Sequence, residues 1–98
     1  MTGDAPVSRF GGVPVEIIES DVPKYRQLAD IMRRRILSGD IPPHRPLPSK
    51  KQMMQEFGVS AGTVDRAVAV LREEGYVHTV IGLGIFVKAR EEWPERDD

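Results

Sequence analysis

Cysteine is absent from this 98-residue chain, and its absence excludes disulfide bridges, thiolate metal sites and cysteine nucleophiles. No apolar run approaches the ~20 residues that a membrane-spanning helix needs. The N-terminus, MTGDAPVSRF, also lacks the basic and apolar regions of a signal peptide. Together these absences predict a soluble, cytoplasmic protein with no membrane partner.

The residue arrangements that enzymes require are lacking as well. The two histidines, His44 and His78, are isolated, with no ligand spacing around them, so no metal site is expected. Ser49 and Ser60 have no His/Asp arrangement to activate them and are better explained as helix caps. The Gly-Leu-Gly run at 82–84 lacks the third glycine of a dinucleotide-binding loop and opens no helix. The sequence therefore predicts a protein that is not an enzyme and holds no cofactor.

Charged residues are distributed unevenly along the chain. Residues 24–90 carry a net charge of +6, whereas residues 1–23 carry −3 and residues 91–98 carry −4. A basic domain between acidic ends suits a nucleic-acid partner. The other interpretation is that the terminal acids only aid solubility.

Composition divides the chain into three parts, of which one is long enough to fold as a single domain. Residues 1–21 are predicted to be a flexible N-terminal arm, and the β-branched segment 13–19 within it is predicted to be a short strand or an extended docking arm. Residues 22–89 are predicted to form the folded domain. Residues 90–98 are acidic and without periodicity, which predicts a disordered tail.

A first helix is predicted from about Pro23 to Leu37, where apolar residues recur at spacings of three and four. Gly39 is expected to end it in a left-handed conformation. The three arginines at 33–35 lie mainly off the apolar stripe. They are interpreted either as a phosphate grip or, as is more common, as a solvated face. Four prolines in the span 40–48 then exclude a helix and predict an extended loop with a turn near Pro43-His44.

Two short helices are predicted next. Ser49 begins helix 2 as its N-cap, and Gln52, three positions later, completes a capping box. Gly58 is expected to end this helix, and Ser60 to cap helix 3. The inward stripe of helix 3 has helical spacing and consists of Val64, Ala67, Val68 and Leu71.

The remaining elements are two short strands, predicted at 77–81 and 84–88 and joined through the glycines at 82 and 84. Two helices separated by about three turn residues have helix-turn-helix spacing, and helix 1 gives the pair a surface on which to pack. The predicted fold class is α+β, a winged helix-turn-helix with three helices and a C-terminal β-hairpin wing. In that fold helix 3 enters the major groove of DNA while helix 2 crosses the phosphate backbone.

These motifs resemble the N-terminal DNA-binding domain of the GntR family of bacterial transcription regulators, over about residues 22–89. Many motifs occur in one order at the family's spacing, which makes the resemblance specific. The matching residues are Tyr25…Gln27-Leu28-Ala29, Ile36-Leu37-Ser38-Gly39, Leu47-Pro48-Ser49, Val59-Ser60…Thr63-Val64, Arg66-Ala67, Leu71, Glu74-Gly75 and Gly82-Leu83-Gly84-Ile85-Phe86-Val87.

The resemblance implies a dimeric regulator that binds double-stranded DNA at two half-sites. It also implies phosphate contacts at the start of helix 2, base contacts from the start of helix 3 and a wing tip in the minor groove. Carried over by position, these roles fall on Ser49, Lys51, Thr63 and Gly82. The full set of candidate DNA-binding residues is Ser49, Lys50, Lys51, Ser60, Gly62, Thr63, Arg66, Gly82, Leu83 and Gly84.

The chain departs from the family pattern at several positions. Lys50-Lys51 stands where the family usually has Glu-Arg, and Ala61 and Asp65 stand where it usually has basic residues. One arginine–guanine contact discriminates by roughly 1–3 kcal/mol, so two absent arginines remove several kcal/mol. Asp65 near the groove is able to accept from a cytosine amino group, but it also repels phosphate. The wing approach, usually basic or polar, is Thr79-Val80-Ile81, and His44 replaces an expected glycine.

Two functions are therefore retained. The first is a sequence-specific regulator, a repressor, that dimerises through the N-terminal segment, helix 1 or the wing. Family members normally carry a C-terminal metabolite-binding domain, and this chain ends about ten residues past the wing, so we expect no small-molecule effector pocket and either a short member or a fragment. The second is a winged-helix protein-interaction module acting on another regulator or RNA polymerase.

Overall fold

The structure, a computed structural model, describes residues 16–94 as three helices followed by a two-stranded antiparallel hairpin. The elements are α1 (Lys24–Leu37), α2 (Lys50–Phe57), α3 (Ala61–Glu74), β1 (Val77–Val80), β2 (Gly84–Val87) and a 3-10 turn, Arg90–Glu92. This order confirms the predicted winged helix-turn-helix. None of the helices in this part of the chain is long and apolar enough to cross a membrane.

Helix α1 supplies the surface on which the other two helices pack. Its buried stripe is formed by Leu28, Ala29, Met32 and Ile36, each at most 1% exposed. The predicted stop at Gly39 is present, since this glycine has a φ of +89°. Because α1 packs along α3, its apolar stripe forms the centre of one hydrophobic core.

Capping fixes where α2 and α3 begin. The hydroxyl of Ser49 accepts from the backbone N–H of Gln52 at 3.1 Å, and the Gln52 side chain accepts from the Ser49 N–H at 2.9 Å. This confirms the predicted capping box. Ser60 caps α3 by accepting from the Thr63 N–H at 3.2 Å, and Gly58 ends α2 in the left-handed conformation. The predicted inward stripe of α3 is buried: Val64, Ala67, Val68 and Leu71.

The wing is a tight hairpin whose base is buried and whose tip is exposed. Val77 pairs with Val87 at the base, and both are fully buried, while Val80 pairs with Gly84 near the tip. Each strand is one residue shorter than predicted. At the tip, the Leu83 N–H donates to the Val80 carbonyl, which leaves Ile81 in the turn.

The proline-rich loop runs beside β2 instead of extending into solvent. His44 donates its backbone N–H to the Val87 carbonyl at 2.8 Å, and Leu47 donates to the Ile85 carbonyl at 2.9 Å. His44 adopts a φ of +69°, so it takes the left-handed turn that glycine favours. The loop thereby ties the wing to the start of α2.

The segment 13–19 of the N-terminal arm was predicted to be a short strand or an extended docking arm, and the strand is not observed in its described residues. Residues 13–15 lie outside the described part, and residues 16–19 form no strand. Instead the Gln27 side chain of α1 holds the backbone of Ile18: its Oε1 accepts from the Ile18 N–H, and its Nε2 donates to the Ile18 carbonyl, both at 2.9 Å. A side-chain clamp thus takes the place of strand pairing at Ile18.

The predicted disorder of 90–98 is wrong for its first residues. Arg90–Glu92 forms a 3-10 turn, and the Trp93 ring lies 6.1 Å from the Tyr76 ring, centroid to centroid. The indole N–H of Trp93 donates to the Lys88 carbonyl at 2.9 Å. The acidic composition of this segment gave no indication of the Trp93 contacts, which extend the folded domain to residue 93. Residues 95–98 lie outside the described part.

Candidate nucleic-acid interface

The start of α2 presents two lysines with different surroundings. Lys51 is exposed, and no carboxylate of residues 16–94 lies within ion-pair distance of its ammonium. The capping box satisfies the N–H groups of Ser49 and Gln52, whereas those of Lys50 and Lys51 find no partner in the same part of the chain. Free N–H groups and a mobile cation at a helix start form a suitable environment for a phosphate.

Lys50, in contrast, is paired with a residue of α3. Its Nζ lies 3.1 Å from Oδ1 of Asp65 and 3.4 Å from Oδ2. Both side chains remain about half exposed, at 51% and 61%. Two departures from the family pattern thus meet in one ion pair, since the family's usual residues would place an acid at position 50 and a base at position 65. The pair was not predicted from the sequence, although the opposite charges of Lys50 and Asp65 were a usable signal.

The N-terminal half of α3 is exposed but carries few polar side chains. Ser60 donates its hydroxyl to Oγ1 of Thr63 at 3.1 Å, so both predicted site residues take part in the helix cap. Gly62 is exposed and adds no side chain. The guanidinium carbon of Arg66 lies 4.7 Å from the Tyr25 ring centroid of α1, a stacking arrangement that fixes the cation without neutralising it.

The wing tip combines glycine conformations with exposed apolar side chains. Gly82 and Gly84 have φ values of +84° and +122°, which only glycine adopts without strain. Ile81 is 94% exposed and Leu83 is 72% exposed. Ile81 and Leu83 are therefore not part of the core, whereas Ile85 of the same hairpin packs partly against it.

A cleft of about 640 Å³ lies between the start of α2, the outer face of α3 and the wing. Ser49, Lys50, Leu83 and Gly84 line it together, so four predicted site residues from two elements share one surface. Arg72 also lines it and donates to the Thr79 hydroxyl at 3.3 Å. Lys51, Ser60, Gly62, Thr63, Arg66 and Gly82 lie outside this cleft. The sequence did not predict the cleft.

The arginine run of α1 serves packing between helices. Arg33 forms a two-point ion pair with Glu74 of α3, at 2.9 and 3.2 Å. Arg35 pairs with Glu56 of α2 at 2.8 Å. Both arginines are largely buried, so neither is free to grip a phosphate, whereas Arg34 is 48% exposed and pairs with Asp30 of the same helix at 3.2 Å. No group of three or more metal-binding side chains occurs in residues 16–94.

Three helices with this turn, and a hairpin wing beside the exposed face of the third helix, define a winged helix-turn-helix domain. A sequence profile described as bacterial regulatory proteins, gntR family, matches residues 24–87. The chain therefore belongs to the GntR family of bacterial regulatory proteins. The matched region is therefore a regulatory-protein domain of that family and not an enzymatic one.

Individual relatives support the same assignment. The chain is 35% identical over 69 residues to the transcriptional repressor NagR of Bacillus subtilis, covering 70% of this chain and 28% of that protein. It is 39% identical over 66 residues to the mannosyl-D-glycerate system repressor MngR of Escherichia coli, covering 67% of this chain and 28% of MngR. The chain thus spans little more than a quarter of the length of these two curated relatives.

A solved relative supplies a direct structural comparison. The DNA-binding domain of AraR, crystallised with operator ORR3, is 36% identical to this chain and superposes with a TM-score of 0.66. The match covers 71% of this chain and 84% of the AraR chain. The shared architecture therefore includes the helix-turn-helix and the wing.

Proposed function

We propose that this chain is the sequence-specific DNA-binding part of a transcriptional repressor. The observation that carries the proposal is the cleft that the start of α2, Asp65 and Arg72 of α3, and Leu83 and Gly84 of the wing line together. Two of the relatives are repressors by name, and the AraR domain is bound to an operator. Repression by this chain consists of occupying an operator and excluding polymerase.

Each element of the proposed interface has a distinct task. The free N–H groups at the start of α2 and Lys51, which has no acidic partner among residues 16–94, hold a phosphate and fix the register of the domain. The N-terminal half of α3 lies in the major groove, where Thr63 and Arg66 face base edges and phosphates. Gly82, Leu83 and Gly84 bring the wing tip into the minor groove.

A two-half-site operator requires two copies of the domain. The candidate surfaces for pairing are the N-terminal segment, α1 and the wing. Among the described residues, Ile18 and Val22 expose apolar side chains beside α1, at 58% and 45%. We assign the pairing surface to this N-terminal side because it leaves α3 and the wing free for DNA. Sedimentation equilibrium of the chain with a two-half-site duplex should give two chains per duplex.

A second function is favoured by one observation. Ile81 and Leu83 place two large apolar side chains in solvent at the wing tip, as protein-contact surfaces often do. In this alternative, α3 and the wing bind another regulator or RNA polymerase, and specific DNA binding is weak or lost. Ala61 and Gly62, which add little to a DNA contact, are consistent with such a surface.

Direct titration separates the two functions. The full chain is titrated into fluorescent duplexes of random sequence, and into duplexes enriched from a random pool, at low salt. The regulator proposal predicts binding of random DNA in the micromolar range and much tighter binding of the enriched sequence. No binding of either pool at micromolar protein in low salt would remove the regulator proposal and leave the protein-interaction module.

A further inference from the structure

The ion pair between Lys50 and Asp65 is a candidate determinant of base preference. It joins the first residue of α2 to the second turn of α3 at 3.1 Å, and both side chains remain about half exposed. We infer that Asp65, held by Lys50, accepts a hydrogen bond from a cytosine amino group in the major groove and so selects a C·G pair in each half-site. This inference rests on the proposed DNA-binding function.

The neighbours of Asp65 leave it the main hydrogen-bond acceptor at the start of α3. Ala61, Gly62 and Ala69 have no polar side-chain atoms. The Thr63 hydroxyl already accepts from Ser60 and has its proton left to donate, and Arg66, stacked on Tyr25 of α1, only donates. Asp65 is thus the one carboxylate in residues 61–69, and its oxygens retain free lone pairs after the contact with Lys50.

Lys50 makes an acid tolerable at this position. A lone carboxylate entering the groove would be repelled by the phosphates on both sides. The ammonium, 3.1 Å from Oδ1 and 3.4 Å from Oδ2, offsets that charge, and at least one of its three protons remains free for a phosphate or a guanine oxygen. The pair therefore approaches DNA with no net charge while keeping one acceptor and one donor in place.

The chemistry of the base edges decides which pair is chosen. An ionised carboxylate only accepts hydrogen bonds, so it cannot bond to the O6 and N7 acceptors of guanine. Cytosine presents its N4 amino donor in the major groove, and aspartate is a suitable acceptor for it. Reversing the signs of the pair should therefore reverse the base that is selected.

The test compares base preference in the full-length chain and four variants. Operators enriched from a random pool are re-titrated with each of the four base pairs at every half-site position. The variants are Asp65→Ala, Asp65→Asn, the double swap Lys50→Glu with Asp65→Arg, and Glu73→Ala as a control on an exposed carboxylate of the same helix. Circular dichroism confirms that each variant folds.

The inference predicts one position per half-site at which the parent prefers C·G by roughly tenfold. Asp65→Ala should abolish that preference, Asp65→Asn should shift it toward adenine, and the double swap should select guanine there. Glu73→Ala should keep the parental preference. If Asp65→Ala retains it, or if the double swap still selects cytosine, the pair is structural and the inference is wrong. Absence of all DNA binding by the parent would overturn the proposed function itself.

Discussion

At the residue scale, two adjacent lysines illustrate how neighbours decide function. Lys50 and Lys51 have the same side chain and lie in the same helical turn. Asp65 neutralises the first, whereas the second has no acidic partner among residues 16–94. The local positive field at the start of α2 therefore depends on Lys51 and on the free backbone N–H groups beside it.

Replacing Lys51 with glutamate should weaken DNA binding at least about tenfold, because a phosphate contact becomes a repulsion. Fluorescence anisotropy with an enriched duplex measures the change. Arg90→Glu is the matched control. It makes the same charge change, but beside Trp93 and near the C-terminal end of α3 instead of at the start of α2. Equal affinities for the two variants would contradict docking of α2 on the backbone.

At the element scale, residues within each segment predicted the helices and the hairpin, whereas the contacts between elements were not predicted. Ser49 and Ser60 identified the starts of α2 and α3 because capping depends on residues within one turn. The Lys50–Asp65 pair and the Arg33–Glu74 pair join residues far apart in sequence, so only the packed fold brings them together. Trp93 was overlooked for the same reason, since its partner Tyr76 lies in another segment.

Removing the cap of α2 should lower stability without changing the fold. Ser49→Ala removes the acceptor of the Gln52 N–H and should cost about 1 kcal/mol in the free energy of unfolding. For a domain of this size that corresponds to a decrease of roughly 4–8 °C in melting temperature. Gln55→Ala, at an exposed position of the same helix, should leave the melting temperature unchanged. Matching melting curves for the two variants would show that the cap is not stabilising.

Substitutions at the wing tip should change DNA affinity without changing stability. Leu83 is 72% exposed, so its substitution should leave the melting temperature unchanged. Leu83→Glu places a negative charge at the tip and should weaken DNA binding roughly tenfold if the tip lies between phosphates. The neutral variant Leu83→Gln, of similar shape, should retain most of the affinity. Identical binding by both variants would place the wing away from DNA.

At the scale of the whole molecule, charge is separated along the chain. Residues 24–90 carry a net charge of +6, and the acidic ends lower the overall charge of the chain to −1. Part of that positive charge is used internally, because Arg33 and Arg35 pair with carboxylates of α3 and α2. Among the remaining cations, Lys51 at the start of α2 and Arg66 and Arg72 on α3 lie on the elements proposed to face DNA. Electrostatic attraction should therefore be local and should involve few phosphates.

The salt dependence of DNA affinity tests this account most directly. The full chain is titrated with an enriched duplex at several salt concentrations, and the logarithm of the association constant is plotted against that of the salt concentration. Each phosphate contact should contribute about −0.9 to the slope, and Lys51→Glu should make the slope shallower by about one unit. A slope near zero, or a slope that the Lys51 variant leaves unchanged, would contradict a DNA-binding surface centred on the start of α2.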